Sequence, residues 1–485
     1  MLNNKPLLRW LAIIAGAVLF LFFLLINPLG LDAKAAKVMA VAVLVISWWI
    51  LEAMPMPVVA LLPIVFFPLM NIAGLEETTA PYANSVVFLF MGGFMIGLAI
   101  EKWNLHKRIA LSIVNITGTS GNKIILGFIL ATGFLSMWLS NTATTMMMFP
   151  IAASVINVMR DNKYDAKGFS NFSLCLMLAI AYASNFGGIA TIIGTPPNVA
   201  YIGYIKKEYH YTVQFADWMI ICAPIALLLM LALYFISVKV LYPNHIKQDG
   251  ETKAYINNEL QQLGPLSVSE KRVLLVFIFT AFLWITKDLI NKLGIIKLDD
   301  TMIAIAGAIM LFIIPSGRKE VNNETLLMWK DTSKMAWGIL LLFGGGISLA
   351  NALEKAGLIT QLGNWLSGYA GNNIFLLILM ITVISIFISE VMSNVAQVIV
   401  FAPVMSGMAD ALHINPLLLG VPMTLAASCA SMLPMGTPPN AIVFASGHIR
   451  LRQMLKTGFV MNVISIILIT LFSYFLLPRL MVIVK

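Results

Sequence analysis

Long apolar runs alternate with short polar breaks along this chain. Trp10 to Leu29 is almost unbroken, and so is Val38 to Leu51, which a proline-interrupted stretch from Val58 to Met70 prolongs. A run of about 18 apolar residues or more marks a membrane-spanning helix. The pattern predicts spans near 8–29, 36–53, 56–72 and 85–118, a helical hairpin near 123–158, an interrupted span near 171–206 and a span near 214–240. After a polar loop at 243–270 come spans near 272–290, 300–315 and 335–366, a second hairpin near 373–409, an interrupted span near 415–448 and a last span near 456–483. The first run is too long for a signal-peptide core and has no small-residue cleavage site after it, so it reads as a retained helix. The chain divides into a half at 1–242, a cytoplasmic linker at 243–270 and a second half at 271–485.

The halves repeat each other. Phe90-Met-Gly-Gly93 returns as Phe343-Gly-Gly-Gly346, Glu101-Lys102 as Glu354-Lys355, and Ser136-x-x-x-Ser140-Asn141 as Ser389-x-x-x-Ser393-Asn394, all at an offset of 253 residues. Gly194-Thr-Pro-Pro-Asn198 returns as Gly436-Thr-Pro-Pro-Asn440 at an offset of 242. If both hairpins are re-entrant, the chain crosses the membrane eleven times. An odd number of crossings separates the copies, so the repeats are inverted. Inverted repeats are a device of secondary transporters, because two opposed packings supply two access states. The expected fold is therefore an all-α polytopic membrane protein of two inverted repeats, with about eleven transmembrane helices, two re-entrant helical hairpins and broken helices at mid-membrane.

Composition agrees. Hydrophobic residues make up 60% and charged ones only 11%, against roughly 25% charged in soluble domains. The net charge of +9 fits cytoplasmic loops rather than a nucleic-acid partner, since no basic patch is interleaved with aromatics. Placing the N-terminus in the cytoplasm puts the majority of the Lys and Arg on that side, including Lys5, Lys163, Lys247 and Lys319. The loop at 73–84, with Glu76 and Glu77, then faces the exterior without positive charge, and the C-terminus is exterior too. The expected location is the cell membrane, with lipid around the helices. Cys175, Cys222 and Cys429 form no zinc or disulfide pattern, and the five histidines are scattered. A membrane enzyme needs a His–metal pair or a Ser/Lys or Asp/Asp dyad in mid-span. The sequence shows neither, which argues against enzymes.

Two motifs carry chemistry. Two prolines in an apolar run break a helix, and the freed carbonyls need partners in hydrocarbon. A cation supplies one; a kink that merely packs is the alternative. Two copies favour the cation. Ser136, Ser140, Asn141 and Thr142 sit midway through an apolar stretch, where a hairpin tip would place hard, neutral oxygens suited to sodium. The carboxamide of Asn141 can also donate to a carboxylate. Interhelical hydrogen bonding is the alternative here. Glu390, whose repeat partner is Met137, is either an ion ligand or a structural group bonded to backbone amides near the tip. Glu52, Glu101 and Glu354 lie at span ends and read as interfacial.

Paired Ser-Asn tips with paired Gly-Thr-Pro-Pro-Asn loops resemble the divalent anion:sodium symporter family over nearly the whole chain, as does Pro434-Met-Gly-Thr-Pro-Pro-Asn440-Ala-Ile-Val443. The resemblance implies a homodimer that moves a transport domain elevator-fashion and co-transports sodium with small dicarboxylates such as succinate, malate or fumarate. It implies one sodium site from Ser136, Ser140, Asn141 and the Gly194 carbonyl, and another from Ser389, Asn394 and the carbonyls of Met392 and Gly436. Substrate carboxylates would meet Asn141, Thr142, Asn394, Val395 and the loops at Pro196 and Pro438. Val395 departs from the doubled motif, since it lacks the hydroxyl of Thr142. A sulfate or citrate carrier or a dicarboxylate exchanger of the same family is the alternative, with a channel more remote.

Overall fold

Hydrocarbon offers no water to a backbone N–H or C=O, so a spanning chain satisfies these groups inside helices. The structure, a computed structural model, describes residues 6–483 apart from 52, 119, 161–165, 245, 247–249, 295, 319–323, 360 and 362–372. Glu52, Lys5, Lys163, Lys247 and Lys319, and the end of the 335–366 span, fall outside the described residues. Within them the regular elements are helices, with one isolated bridge between Pro315 and Thr325. Nine of the described helices are long and apolar enough to cross a membrane.

The first half runs α1 (Pro6–Leu25), α2 (Ala33–Ile50), α3 (Met56–Val59), α4 (Leu62–Leu69), α5 (Leu75–Thr79), α6 (Ser85–Lys102), α7 (Leu105–Thr117), α8 (Gly121–Ser136), α9 (Asn141–Arg160), α10 (Ala166–Gly188), α11 (Pro196–Glu208) and α12 (Phe215–Phe235). Then come α13 (Gly250–Gln262), α14 (Val268–Lys292), α15 (Asp300–Ile313), α16 (Trp337–Lys355), α17 (Ile374–Ser389), α18 (Asn394–Ala411), α19 (Leu417–Ala427), α20 (Pro438–Phe444), α21 (Leu451–Leu471) and α22 (Leu477–Ile483).

Three elements differ from the sequence pattern. The 56–72 run is split into α3 and α4, where Pro57 and Pro63 each start a helix at a position that needs no N–H. The 85–118 run breaks at Asn104, held at φ 55°, and the amphipathic α7 that follows turns its charged residues toward α13 and the start of α14. The linker holds helix α13. Its Lys107–Glu259 ion pair at 2.8 Å and the buried Ile256 anchor a sequence of good helix formers against α7. Arg108 adds a bond to Glu270 at 2.7 Å and to the Gly264 carbonyl at 2.9 Å, tying α7 to the start of α14.

The two broken spans are the most enclosed part of the molecule. α10 packs along α8 and α12, and α19 packs along α17 and α18. α11 and α20 resume each span after the connections at 189–195 and 428–437. Both α12 and α21 continue into a π-helical turn, at Ile236–Leu241 and Phe472–Leu476.

Candidate functional site

Each hairpin turns over within a few residues. α8 stops at Ser136 and α9 starts at Asn141, while α17 stops at Ser389 and α18 starts at Asn394. The tips therefore lie between helix ends, where backbone groups are unpaired and dipoles converge.

In the first tip the Ser136 hydroxyl lies 2.8 Å from Asn141 Oδ1 and 2.7 Å from the Ser184 carbonyl. It has one proton, so it satisfies one of these oxygens and faces the other. The end of the Asn141 amide that faces this space lies 3.1 Å from Ser184 O and 3.3 Å from Gly194 O. Three oxygens, from Ser136, Ser184 and Gly194, thus crowd the same end of the Asn141 amide. Either a cation sits among them or the amide turns its N–H groups inward. Glycine is required for this approach: a Cβ on Gly188 would stand 2.2 Å from Asn141 Oδ1, and one on Gly194 would stand 2.5 Å from Gly188 O.

The second tip repeats the contact. Ser389 Oγ lies 2.7 Å from Asn394 Oδ1 and 2.5 Å from the Ala427 carbonyl. Met392 is buried in the turn, and Gly436 lies beside the Glu390 carboxylate. Glu390 resolves to a brace. Its Oε1 accepts from the Ser431 and Met432 amides and from Asn462 Nδ2, and its Oε2 from the Leu433 amide, all within 2.9 Å. In the first half a neutral group does this work: Thr191 donates to the Met137 carbonyl and accepts from the Gly194 amide.

The remaining predicted residues divide. Ser140 accepts from the Ala143 amide at 3.3 Å and so caps α9. Thr142 and Val395 are half-buried on the first turns of α9 and α18. Pro196 and Pro438 open α11 and α20, the first half-buried and the second exposed. The motif asparagines, Asn198 and Asn440, are fully buried. Asn198 Nδ2 donates to the Thr191 carbonyl at 2.8 Å and Asn440 Nδ2 to the Leu433 carbonyl at 3.2 Å. They satisfy carbonyls of the turn, where the chain has left the helix. Sequence reasoning missed Ser184 and Ala427, whose contributions are backbone oxygens. They occupy matching places, ten residues and nine residues ahead of the two Gly-Thr-Pro-Pro-Asn motifs, and that recurrence was the available signal.

This arrangement of paired oxygen clusters beside helix N-termini offers ligands to cations and N–H donors to an anion. The chain matches the family described as the sodium:sulfate symporter transmembrane region over residues 7–483. It is 39% identical over 472 residues to the sodium-dependent dicarboxylate transporter SdcS of Staphylococcus saprophyticus, covering 96% of this chain and 91% of that protein. It is 38% identical over 474 residues to the protein of the same name from Staphylococcus aureus, with the same coverage. Its fold resembles the crystal structure of the Alcanivorax borkumensis YdaH transporter, described as having an unusual topology. The TM-score is 0.58 at 14% identity, over 83% of this chain and 87% of the other. The matched length and the relatives at this identity place the chain in the sodium:sulfate symporter family, the divalent anion:sodium symporters, whose members are membrane transporters and not enzymes.

Proposed function

We propose that this protein carries small dicarboxylates across the cell membrane together with sodium. The observation that carries the reading is the doubled Ser–Asn contact at the hairpin tips, each closed by a carbonyl of a broken span. Ser136, Ser140, Asn141, Gly194 and the added Ser184 carbonyl would hold one sodium ion. Ser389, Asn394, Met392, Gly436 and the added Ala427 carbonyl would hold the other. Neutral oxygens at this spacing suit sodium. Asn141 and Asn394 would then offer N–H groups to the two carboxylates, with Thr142 and the turns at Pro196 and Pro438 beside them. No Lys or Arg stands at either tip, so the ions and the helix N-termini neutralise the dianion. The names of the Staphylococcus relatives agree with both sodium and dicarboxylate.

The mechanism follows from the inverted repeat. Residues 1–242 and 271–485 would pack as opposed copies, with the N-terminus cytoplasmic and the C-terminus exterior. The hairpins and broken spans would move as one body against a dimeric scaffold, elevator-fashion. The test is uptake of radiolabelled succinate into liposomes holding the purified protein. Uptake is expected with an inward sodium gradient and is expected to collapse when potassium or choline replaces sodium. Equal uptake in potassium would mean exchange and sink the symport reading. Stronger competition by sulfate or citrate than by malate or fumarate would move the substrate to those anions.

A further inference from the structure

One face of α10 reaches from the first half into the second. Tyr182 Oη donates to the Ser431 carbonyl at 2.7 Å, and Asn185, one turn further on, donates through Nδ2 to Thr437 Oγ1 at 3.1 Å. Both side chains are buried, and their acceptors bracket the turn between α19 and α20. The converse reach is missing. The corresponding positions on and after α19 are Leu425, which has no polar group, and Ser428, whose hydroxyl is buried without a partner.

Asn185 also faces the first cluster. Asn141 Nδ2 donates to Asn185 Oδ1 at 3.5 Å, a long bond. Thr437 Oγ1 in turn accepts from the Asn440 amide at 3.4 Å, capping α20. A chain of polar contacts thus runs from Asn141 through Asn185 to the start of the second broken helix.

Such a chain allows two settings of the Asn141 amide, between which a cation would select. With an ion among the oxygens of Ser136, Ser184 and Gly194, Asn141 keeps Oδ1 inward and Nδ2 toward Asn185. Without one, the amide gains by turning over, because Nδ2 then reaches Ser184 O, Gly194 O and Ser136 Oγ. Its oxygen then faces Asn185 Oδ1, and two acceptors repel. Asn185 relieves that repulsion by turning its own amide, and the Thr437 hydroxyl then has to donate to Asn185 Oδ1 where it accepted before, so the contact reverses direction at the turn.

We propose that Asn185 is the positioning residue that couples the two cation sites, so that an ion in the first pre-organises the turn that forms the second. This rests on the reading of both clusters as sodium sites. Coupling of this kind is reciprocal, and one buried hydrogen bond corresponds to about two- to tenfold in affinity.

The test is the sodium dependence of succinate uptake in liposomes for the wild type, Asn185→Ala, Thr437→Val and the double variant. The wild-type curve is expected to be sigmoidal. Each single substitution is expected to raise the half-saturating sodium concentration about two- to tenfold and to flatten the curve toward a hyperbola. The double variant is expected to be no worse than the single ones, because both remove the same contact. Unchanged steepness and half-saturation in folded variants, additive effects, or a loss confined to the maximal rate would each overturn the coupling. If Asn185→Ala fails gel filtration, Thr437→Val decides alone, since it removes the acceptor without touching α10. A wild type that ignores sodium would instead remove the parent reading, which separates the two failures.

Discussion

Asn141 and Asn394 stand at equivalent points, each within 2.8 Å of a serine hydroxyl at the end of the preceding helix. An amide at such a point offers oxygen to an ion and two N–H groups to an anion. Aspartate keeps the shape and the oxygen but loses the donors and sets a negative charge against the substrate. A lost hydrogen bond to a charged group costs about 1.5–3 kcal/mol, tenfold or more in affinity. Asn141→Asp and Asn394→Asp are each expected to abolish sodium-driven succinate uptake while the protein still elutes as a folded species. Near-normal uptake by both would mean that the tips only pack helices. Gly188 makes a sharper probe of the first cluster. An added methyl there overlaps Asn141 Oδ1 at 2.2 Å and must push the side chain away. Gly188→Ala is therefore expected to lose uptake although α10 tolerates alanine well as a helix. Retained uptake with normal sodium affinity would show that Asn141 is not held where the structure puts it.

At the scale of elements, each broken span has to satisfy the backbone its prolines expose, and the halves solve this differently. The first uses Thr191 and Asn198; the second adds the Glu390 carboxylate, which gathers three amides of the turn. A titratable contact lies where α11 ends. Glu208 there is pushed up to about 7 by burial first, then by its hydrogen bond to Glu354 and that group's charge. Lys207 opposes the shift and Asp410 adds to it. The raised value means that the folded chain holds a proton that the unfolded chain releases above the ordinary 4.5. The contribution is complete below about 4.5 and is lost as pH rises through about 7. Glu208→Gln mimics the protonated form. It is expected to match the wild type in thermal stability near pH 5 and to exceed it near pH 8. Parallel pH profiles for the two proteins would remove the Glu208–Glu354 contact as the cause.

At the scale of the molecule, the inverted repeat makes a topological demand. Lys167 lies at the start of α10 and His413 just past α18, both exposed. If the halves are opposed, Lys167→Cys is expected to react from the cytoplasmic face and His413→Cys from the exterior with a membrane-impermeant thiol reagent. The three native cysteines are buried, so background labelling stays low. Reaction of both sites from one face would take away the inverted topology and the alternating access built on it.

Apolar run length and repeated spacing alone were enough to show an all-helical membrane chain of two related halves with hairpin tips at Ser136–Asn141 and Ser389–Asn394. Those properties are periodic or compositional, and the chain's local chemistry writes them directly into the sequence. Other features came only from tertiary packing. Helix α13 forms where polar residues alone predicted a loop, because Glu259 finds Lys107 on α7. Ser140 also caps α9, and Glu390 is braced because three amides lie within its reach. The carbonyls of Ser184 and Ala427 complete the clusters, yet every residue owns a carbonyl. Which ones lie free, and which point at the same space, is decided by where two broken helices happen to pass a hairpin tip.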